Sequence, residues 1–483
     1  MKWSDRQLAI FDAYENTRKN IAIEATAGSS KTTCIVECCR RTPPNKKVLF
    51  MAFNKSIAEE LRERLPSHID VNTFHSKGLR VLLSNFRIKP KINENKCFVI
   101  GKKILETKDM DVKQQIRYLF EIQIIWNYIR VNLITDYEKE IPGICIEKNI
   151  EFQERMVGDM EQIRNAWHKE MKKINSVKEI NIDFTDMLYF PYQLLDSEDF
   201  PKYDIVTLDE QQDANTLQKE LALRYIKKSG RFVVVGDSRQ CIYGFQGSSL
   251  EVFKSLQSYP NTIVLPLDIT YRCGKNIVEE ARKVFDNGIV AAPNAIDGIV
   301  RKGEFDEAEN GDFILCRNNL PLATVFLYLL EMGKKATIKG KDYGDALVAL
   351  VDKIRYIEDL DAMCEKKISE LKERGLTDIQ AKNNPSYVAF LEKCTILKIL
   401  YKNWGDMKKL EDNIKEIYKD DTEGIVLSTI HKSKGLEADR VFLLNRSLIP
   451  SKYANTEEAL YNEKCLLFVA ITRARKELVY CNV

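Results

Sequence analysis

No stretch of this 483-residue chain approaches the roughly 20 consecutive apolar residues that a membrane-spanning helix requires, so no membrane partner is expected. The opening Met1-Lys2-Trp3-Ser4-Asp5-Arg6-Gln7 lacks the apolar core of a secretion signal, and a cytoplasmic location is the expectation. An excess of one charge is also missing. The net charge is +3, so whole-chain charge neither demands nor excludes a nucleic-acid partner, and local patches must decide. The 12 cysteines contain no Cys-x-x-Cys pair. Cys34, Cys38 and Cys39 fall at helical spacing and read as buried reduced thiols rather than metal ligands. There is no internal repeat and no low-complexity tract.

The length exceeds what one hydrophobic core can organise, and two to four domains are expected. A hydrophobic content of 44% and a charged content of 30% are globular values. The first 80 or so residues alternate short apolar runs (Ile21-Ala22-Ile23; Val48-Leu49-Phe50-Met51-Ala52; Val71-Asn72-Thr73) with helical segments, the pattern of a parallel sheet covered by helices. From residue 85 to about 178 the pattern turns helical and loses its strands. Within it, residues 85–103 carry Arg87, Lys89, Lys91, Lys96, Lys102 and Lys103 against one acid, Glu94. That run reads either as a solvated helical face or as a phosphate-contacting one. Strands resume at Tyr203-Asp204-Ile205-Val206-Thr207-Leu208 and at Phe232-Val233-Val234-Val235, each ending in an acid. A second α/β set is expected to open at Ile263-Val264-Leu265, with a second helical block over residues 344–423. The expected plan is α/β throughout. Residues 1–84 and 181–260 form a first parallel-sheet domain with 85–180 as its helical insertion, and residues 261–343 and 424–483 form a second with 344–423 as a shorter one.

Chemistry enters at residues 24–33, Glu-Ala-Thr-Ala-Gly-Ser-Ser-Lys-Thr-Thr, directly after an apolar strand. A strand that turns through a glycine-containing loop into a helix presents backbone N–H groups to phosphates. Lys31 can reach the terminal phosphates, and Thr32 can hold Mg²⁺. Asp209-Glu210 at the end of another apolar strand is the second signal. An acid there can hold Mg²⁺ through water, and its neighbour can orient and deprotonate an attacking water. Either feature alone is weak; the two in one sheet describe a nucleotide triphosphatase.

At this point the chain resembles a superfamily 1 DNA helicase of the UvrD/Rep type, with motifs in the family's order from Gln7 to Ala474. Residues 25–33 (Ala25, Thr26, Ala27, Gly28, Ser29, Ser30, Lys31, Thr32, Thr33) match the phosphate loop, and Gln7 resembles the glutamine that reads adenine. Phe53-Asn54 and Thr73-Phe74-His75 match two DNA-contacting motifs. Asp183-Phe184-Thr185-Asp186-Met187-Leu188 resembles the segment leading back into the first domain. Asp209-Glu210-Gln211-Gln212-Asp213 matches the Asp-Glu-x-Gln-Asp box. In the segment from Gly236 to Gly247 the resemblance makes Gln240 a γ-phosphate sensor and Tyr243 and Phe245 DNA contacts. Tyr271-Arg272, the segment from Thr429 to Glu437 with His431, and Val469-Ala470-Ile471-Thr472-Arg473-Ala474 match the remaining motifs.

The resemblance implies two RecA-like domains with ATP in the cleft between them. Lys31, Asp209, Glu210 and Gln240 would come from the first, and Arg272 and Arg473 from the second. Tyr271 would pack on adenine, and Glu437 would border the nucleotide. Thr32 and Asp209 would hold Mg²⁺, and Phe53, Asn54, Thr73, His75, Tyr243, Phe245 and His431 would line a single-stranded DNA path. The implied activity is an ATP-dependent helicase or translocase moving 3′ to 5′. Its partners would be single-stranded DNA, single-strand/duplex junctions and replication or recombination proteins, and the protein would act as a monomer. Two other readings share these motifs: a translocase that strips proteins from DNA with little unwinding, and a catalytically weak nucleic-acid-binding accessory protein. Three departures from the family pattern bear on them. Ser30 stands at a glycine position, Gln246 at an arginine position, and Cys465 at another arginine position.

Overall fold

The computed structural model describes residues 3–106, 110–148, 150–242, 250–286, 288–373, 376–419 and 423–483. The chain divides into two compact units, residues 1–26 with 30–268, and residues 27–29 with 269–483.

The first unit runs α1 (Asp5–Asn16), β1 (Asn20–Ala25), α2 (Lys31–Arg40), β2 (Val48–Ala52), α3 (Lys55–Arg64), β3 (Ile69–Thr73) and α4 (Phe74–Asn85). It continues through β4 (Lys89–Ile92), α5 (Lys96–Ile104), α6 (Val112–Asn132), α7 (Tyr137–Glu147), α8 (Arg155–Lys172) and β5 (Glu179–Ile182). Then follow α9 (Asp186–Leu194), β6 (Tyr203–Leu208), α10 (Thr216–Arg224), β7 (Ile226–Gly236), α11 (Leu250–Gln257) and β8 (Thr262–Leu267). Six strands form one parallel sheet in the order β3-β2-β6-β7-β1-β8.

The two-residue period of these strands sorts their side chains between two cores. Ile21, Ile23, Val48, Phe50, Val233 and Val235 point to one face, where Ile10, Phe11, Ile35 and Leu61 of α1–α3 cover them. Ala22, Leu49, Met51, Phe232 and Val234 point to the other, which is continuous with Leu82, Trp126, Trp167, Leu188 and Leu217 of the remaining helices. Both faces are buried, so the strands read as unbroken apolar runs rather than as alternating ones.

Three expectations change here. The segment around Ile263-Val264-Leu265 does not open the second sheet. As β8 it pairs in parallel with β1, Ile21 opposite Ile263, and so edges the first sheet. The helical insertion is also not free of strands: Lys89-Pro90-Lys91-Ile92 pairs in parallel with β5, tying its entry to its exit. Strands this short carry little periodic signal, and a proline inside one hides it further. Finally, Lys96, counted among a solvent-facing basic run, is buried.

The second unit contains β9 (Ile269–Thr270), α12 (Lys275–Arg282), β10 (Val290–Ala291), β11 (Ile299–Lys302), β12 (Phe313–Cys316), α13 (Asn319–Glu331) and β13 (Ala336–Lys339). A helical block follows: α14 (Lys341–Val351), α15 (Asp359–Lys372), α16 (Asp378–Lys382), α17 (Pro385–Trp404) and α18 (Met407–Ile417). The unit closes with β14 (Tyr418–Lys419), β15 (Ile425–Thr429), β16 (Ala438–Leu444), α19 (Glu457–Ile471) and β17 (Ala474–Cys481). Its seven-stranded parallel sheet has the order β11-β17-β16-β12-β15-β13-β14. Pro385 begins α17 behind the cap Asn384, where its missing N–H costs nothing. All twelve cysteines are free and buried, Cys34, Cys38 and Cys39 among them. Among the described residues no helix is long and apolar enough to cross a membrane.

Candidate nucleotide and nucleic-acid site

The motif residues of the first unit gather at the carboxyl ends of its parallel strands, where an open α/β sheet leaves room for a ligand. β1 delivers the phosphate loop, and α2 starts at Lys31. Thr32 Oγ1 donates to Asp209 Oδ2 at 2.7 Å, joining that loop to the acid that ends β6. Lys31 Nζ lies 3.5 Å from Glu210 Oε1. Four residues from two distant segments therefore share one small polar volume.

Burial, then the neighbouring Glu210, pushes the Asp209 carboxyl up to about 6, opposed by the Thr32 hydroxyl and the Lys31 ammonium. A divalent cation beside it would reverse that balance. The donor set fits Mg²⁺: a threonine hydroxyl and a carboxylate are hard oxygens, and such an ion takes its remaining ligands from water and phosphate. Among the described residues there is no group of three or more His, Cys, Asp or Glu that could hold a metal by protein ligands alone.

Backbone strain marks the same place. Ser30, which caps the start of α2, has φ 64° and ψ 41°, and Glu210 has φ 49° and ψ 44°. Both are left-handed conformations that a side chain disfavours, and such outliers concentrate at functional sites. For Glu210 the turn is held by Gln212, whose Nε2 donates to Glu210 Oε2 at 2.6 Å while its Oε1 accepts from Asp237 N at 2.9 Å. Gln212 thus fixes the carboxylate's direction and links it to the end of β7. Its place in the Asp-Glu-x-Gln-Asp box was visible in the sequence; its bridging contact was not.

The turn after β7 is bound to β1. Arg239 Nη2 donates to the Ala25 carbonyl at 2.6 Å, and Ser238 Oγ donates to Glu24 at 2.7 Å. Gln240 donates to Asp237 Oδ2 at 2.6 Å from a buried position. Gln7 is buried, its Oε1 accepting from Ser4 N at 3.0 Å in the capping box of α1. Tyr243, Phe245 and Gln246 lie outside the described residues.

β2 and β3 end in the residues matched to DNA contacts. Phe53 is exposed. Asn54 caps α3 through Ile57 N at 2.8 Å, and Thr73 caps α4 through Ser76 N at 3.2 Å. His75 is exposed, and its ring meets Phe184 edge-on with centroids 6.3 Å apart. Phe184 is 49% exposed, and sequence reading gave it no role. In the sequence it stands only as part of segment 183–188, which resembles the family's return into the first domain.

In the second unit a separate group forms at the amino ends of β16 and β17. Glu437 receives Arg272 Nε and, at 3.0 Å, Arg475 Nε. Arg272 Nη1 donates to the Thr472 carbonyl at 3.2 Å. Arg473 is buried and donates to the carbonyls of Val469 at 3.1 Å and Leu436 at 3.0 Å. Tyr271 is exposed. His431 follows β15; burial, then the charges of Arg317 and Lys434, push its imidazole down to about 4.

Two parallel-sheet α/β units of the RecA-like kind, one carrying a phosphate loop joined to an Asp-Glu pair, define a nucleotide-binding protein of the helicase class. The chain belongs to the UvrD/Rep helicase family: residues 6–260 match the UvrD/REP helicase N-terminal domain and residues 330–482 the UvrD-like helicase C-terminal domain. It is 23% identical over 517 residues to F-box DNA helicase protein 1 of Schizosaccharomyces pombe, across 99% of this chain and 57% of that protein. It is 22% identical over 626 residues to ATP-dependent DNA helicase Rep of Buchnera aphidicola (subspecies Acyrthosiphon pisum), across 97% of this chain and 94% of Rep. It is also 26% identical over 306 residues to ATP-dependent DNA helicase PcrA of Bacillus subtilis, across 57% of this chain and 39% of that protein.

Proposed function

We propose that this protein hydrolyses ATP to move 3′ to 5′ along single-stranded DNA and to separate duplex ahead of it. The observation that carries this reading is the convergence of Lys31, Thr32, Asp209 and Glu210 at the carboxyl ends of β1 and β6. Lys31 neutralises charge on the terminal phosphates. Glu210, aimed by Gln212, orients the attacking water and takes its proton. Thr32 and Asp209 hold Mg²⁺, which when bound offsets phosphate charge. Gln240 reports the terminal phosphate to the turn it shares with Asp237, and Arg272 and Arg473 supply further positive charge as the phosphoryl group transfers. Gln7 and the ring of Tyr271 contact the adenine, with residues 25–33 around the phosphates and Glu437 at their border. Phe53, Asn54, Thr73, His75 and His431, with Tyr243 and Phe245, form the path of the strand.

Steady-state ATPase with and without oligo(dT), together with strand displacement from duplexes bearing a 3′ or a 5′ tail, tests this reading. The expected result is Mg²⁺-dependent hydrolysis stimulated by the oligonucleotide and displacement only from the 3′-tailed duplex. Stimulated hydrolysis without displacement would favour a protein-stripping translocase, and hydrolysis indifferent to DNA would defeat the proposal.

A further inference from the structure

The first unit has a second concavity, at the amino ends of its strands and so on the rim opposite Lys31 and Asp209. It is a cavity of about 540 Å³, walled by the ends of α1 and α2 with the segments that follow them, by the start of β6 and by β7. That volume lies within the roughly 300–1,000 Å³ of pockets that hold small organic ligands. An irregularity in the sheet shapes it. Tyr203 pairs with Ile226 and Ile205 with Arg231, so two steps along β6 face five along β7, and three extra residues bulge out between them. Bulges re-aim side chains, and this one carries Ser229 and Arg231 to the cavity wall.

Arg231 is only 8% exposed. Its Nη1 and Nη2 donate to the carbonyls of Thr17 and Tyr14 at the end of α1. A guanidinium has five N–H donors, and these two bonds leave the others unused. Among the described residues no carboxylate pairs with it. Burial weakens its hold on its proton, opposed only by the Tyr14 phenol and the Cys38 thiol. A helix end offers about half a negative charge, so capping α1 leaves this buried cation undercompensated.

The rest of the wall points the same way. Both acids that line the cavity are engaged: Glu15 by Arg41 at 3.2 Å, and Asp204 by Lys227 Nζ at 2.9 Å and Lys47 N at 2.8 Å. Carbonyls at the end of α2, which would repel an anion, are closed by Thr42, whose Oγ1 donates to Cys38 O at 3.3 Å and whose N donates to Cys39 O at 3.1 Å. Arg18 and Lys46 also line the cavity, are exposed, and have no carboxylate in ion-pair reach among the described residues. Three cations without a counter-anion thus border one cavity, beside the Ser229 hydroxyl. A carboxylate would bring one charge to them; a phosphate brings nearly two, on three strong acceptor oxygens that a guanidinium fork matches.

We propose that this cavity binds a phosphate group, borne either by a small phosphorylated molecule or by the backbone of a nucleic-acid strand. Arg231 and Ser229 receive it, and Arg18 and Lys46 close on its remaining oxygens. The site does not depend on the translocating function proposed above.

Isothermal titration calorimetry of pyrophosphate into the Lys31→Ala protein, at constant ionic strength in chloride, tests the assignment, with melting temperature as the check on folding. Lys31→Ala weakens the phosphate loop as a competing site. Pyrophosphate is expected to bind, and adding Arg18→Ala with Lys46→Ala, both at exposed positions, should weaken it about tenfold. Arg231→Lys keeps a charge at the end of α1 but loses the planar fork, and should weaken binding at least as much. If Arg231→Lys fails to fold, the Arg18 and Lys46 variants decide alone. Absence of pyrophosphate binding in Lys31→Ala, or an affinity indifferent to the loss of Arg18 and Lys46, would overturn the assignment. Competition then identifies the bearer of the phosphate. Displacement of pyrophosphate by oligo(dT) assigns it to a nucleic-acid strand, and displacement by AMP but not by oligo(dT) assigns it to a free phosphorylated molecule. Displacement by neither would overturn the phosphate chemistry.

Discussion

Thr32 Oγ1 and Asp209 Oδ2 stand 2.7 Å apart although 177 residues separate them in the chain. The hydroxyl is on the first turn of α2, immediately after the phosphate loop, and the carboxylate ends β6, two strands away in the sheet. Only a parallel sheet that places both carboxyl ends on one rim makes that contact, and the contact sets the two hard oxygens where one small cation could meet both.

Lys31→Ala should abolish hydrolysis and leave oligo(dT) affinity within about twofold. The ammonium sits 3.5 Å from Glu210 and is nearly buried, so its charge acts inside the phosphate site rather than on DNA. Losing an electrostatic clamp on a transferring phosphoryl group costs roughly two to three orders of magnitude or more in rate. Turnover within a factor of ten of wild type would exclude the loop as the active site.

Glu210→Gln keeps the side chain's shape and removes the base. ATP and Mg²⁺ binding should persist while single-turnover hydrolysis falls by roughly 10²–10⁴. Gln212→Ala should reproduce part of that loss, because Gln212 donates to Glu210 Oε2 at 2.6 Å and sets its direction. Unimpaired hydrolysis in Glu210→Gln would move the base to another residue.

The phosphate loop, the Asp-Glu pair and the alternation of strands and helices were legible because each is a local pattern. A strand buried on both faces is an apolar run, and a phosphate loop needs its residues in fixed order. What the sequence hid is of another kind. Gln212 acts through hydrogen bonds to Glu210 and from Asp237 N, partners that local periodicity does not reveal. Lys96 looked like one of six surface bases because its partner, Asp186, is 90 residues away. β8 was assigned to the wrong sheet because a strand's neighbour depends on which edge stands open, and no spacing along the chain records that.

Ser30→Gly should stabilise the protein slightly and leave hydrolysis equal or faster. Ser30 adopts φ 64°, a conformation costing a residue with a side chain about 1–2 kcal/mol, against which glycine loses about 0.5–1 kcal/mol of chain entropy on folding. The melting temperature should rise by a few degrees at most. A large loss of activity would show that the Ser30 hydroxyl makes a contact of its own with nucleotide.

His431 should give stability a pH dependence of definite sign. Its imidazole, pushed down to about 4, binds a proton more weakly in the folded chain than in the unfolded one, where the ordinary value is about 6.5. Its contribution is therefore fully present above about pH 6.5 and is lost as pH falls toward 4, on the order of 2 kcal/mol by pH 5. His431→Gln should show a smaller drop in unfolding free energy between pH 7 and pH 5 than wild type does. Parallel curves would mean that the folded chain tolerates the imidazolium.

Arg272 and Arg473 are both proposed to act on phosphate, but the structure holds them differently, so their variants should diverge. Arg272 pairs with Glu437, which keeps Arg475 as a second partner when Arg272 is removed. Arg272→Ala should therefore lower turnover by roughly 10³ or more, as for other arginines that stabilise phosphoryl transfer, with the melting temperature nearly unchanged. Arg473 is buried, and its guanidinium satisfies the carbonyls of Val469 and Leu436. Arg473→Ala leaves both carbonyls in a cavity without that donor, at about 1–3 kcal/mol each. It should lower turnover and melting temperature together. Differential scanning fluorimetry beside steady-state ATPase separates the two cases. An Arg473→Ala protein that melts normally would show that those carbonyls find other partners, and one that hydrolyses ATP normally would remove Arg473 from the chemistry and leave it a purely structural cation.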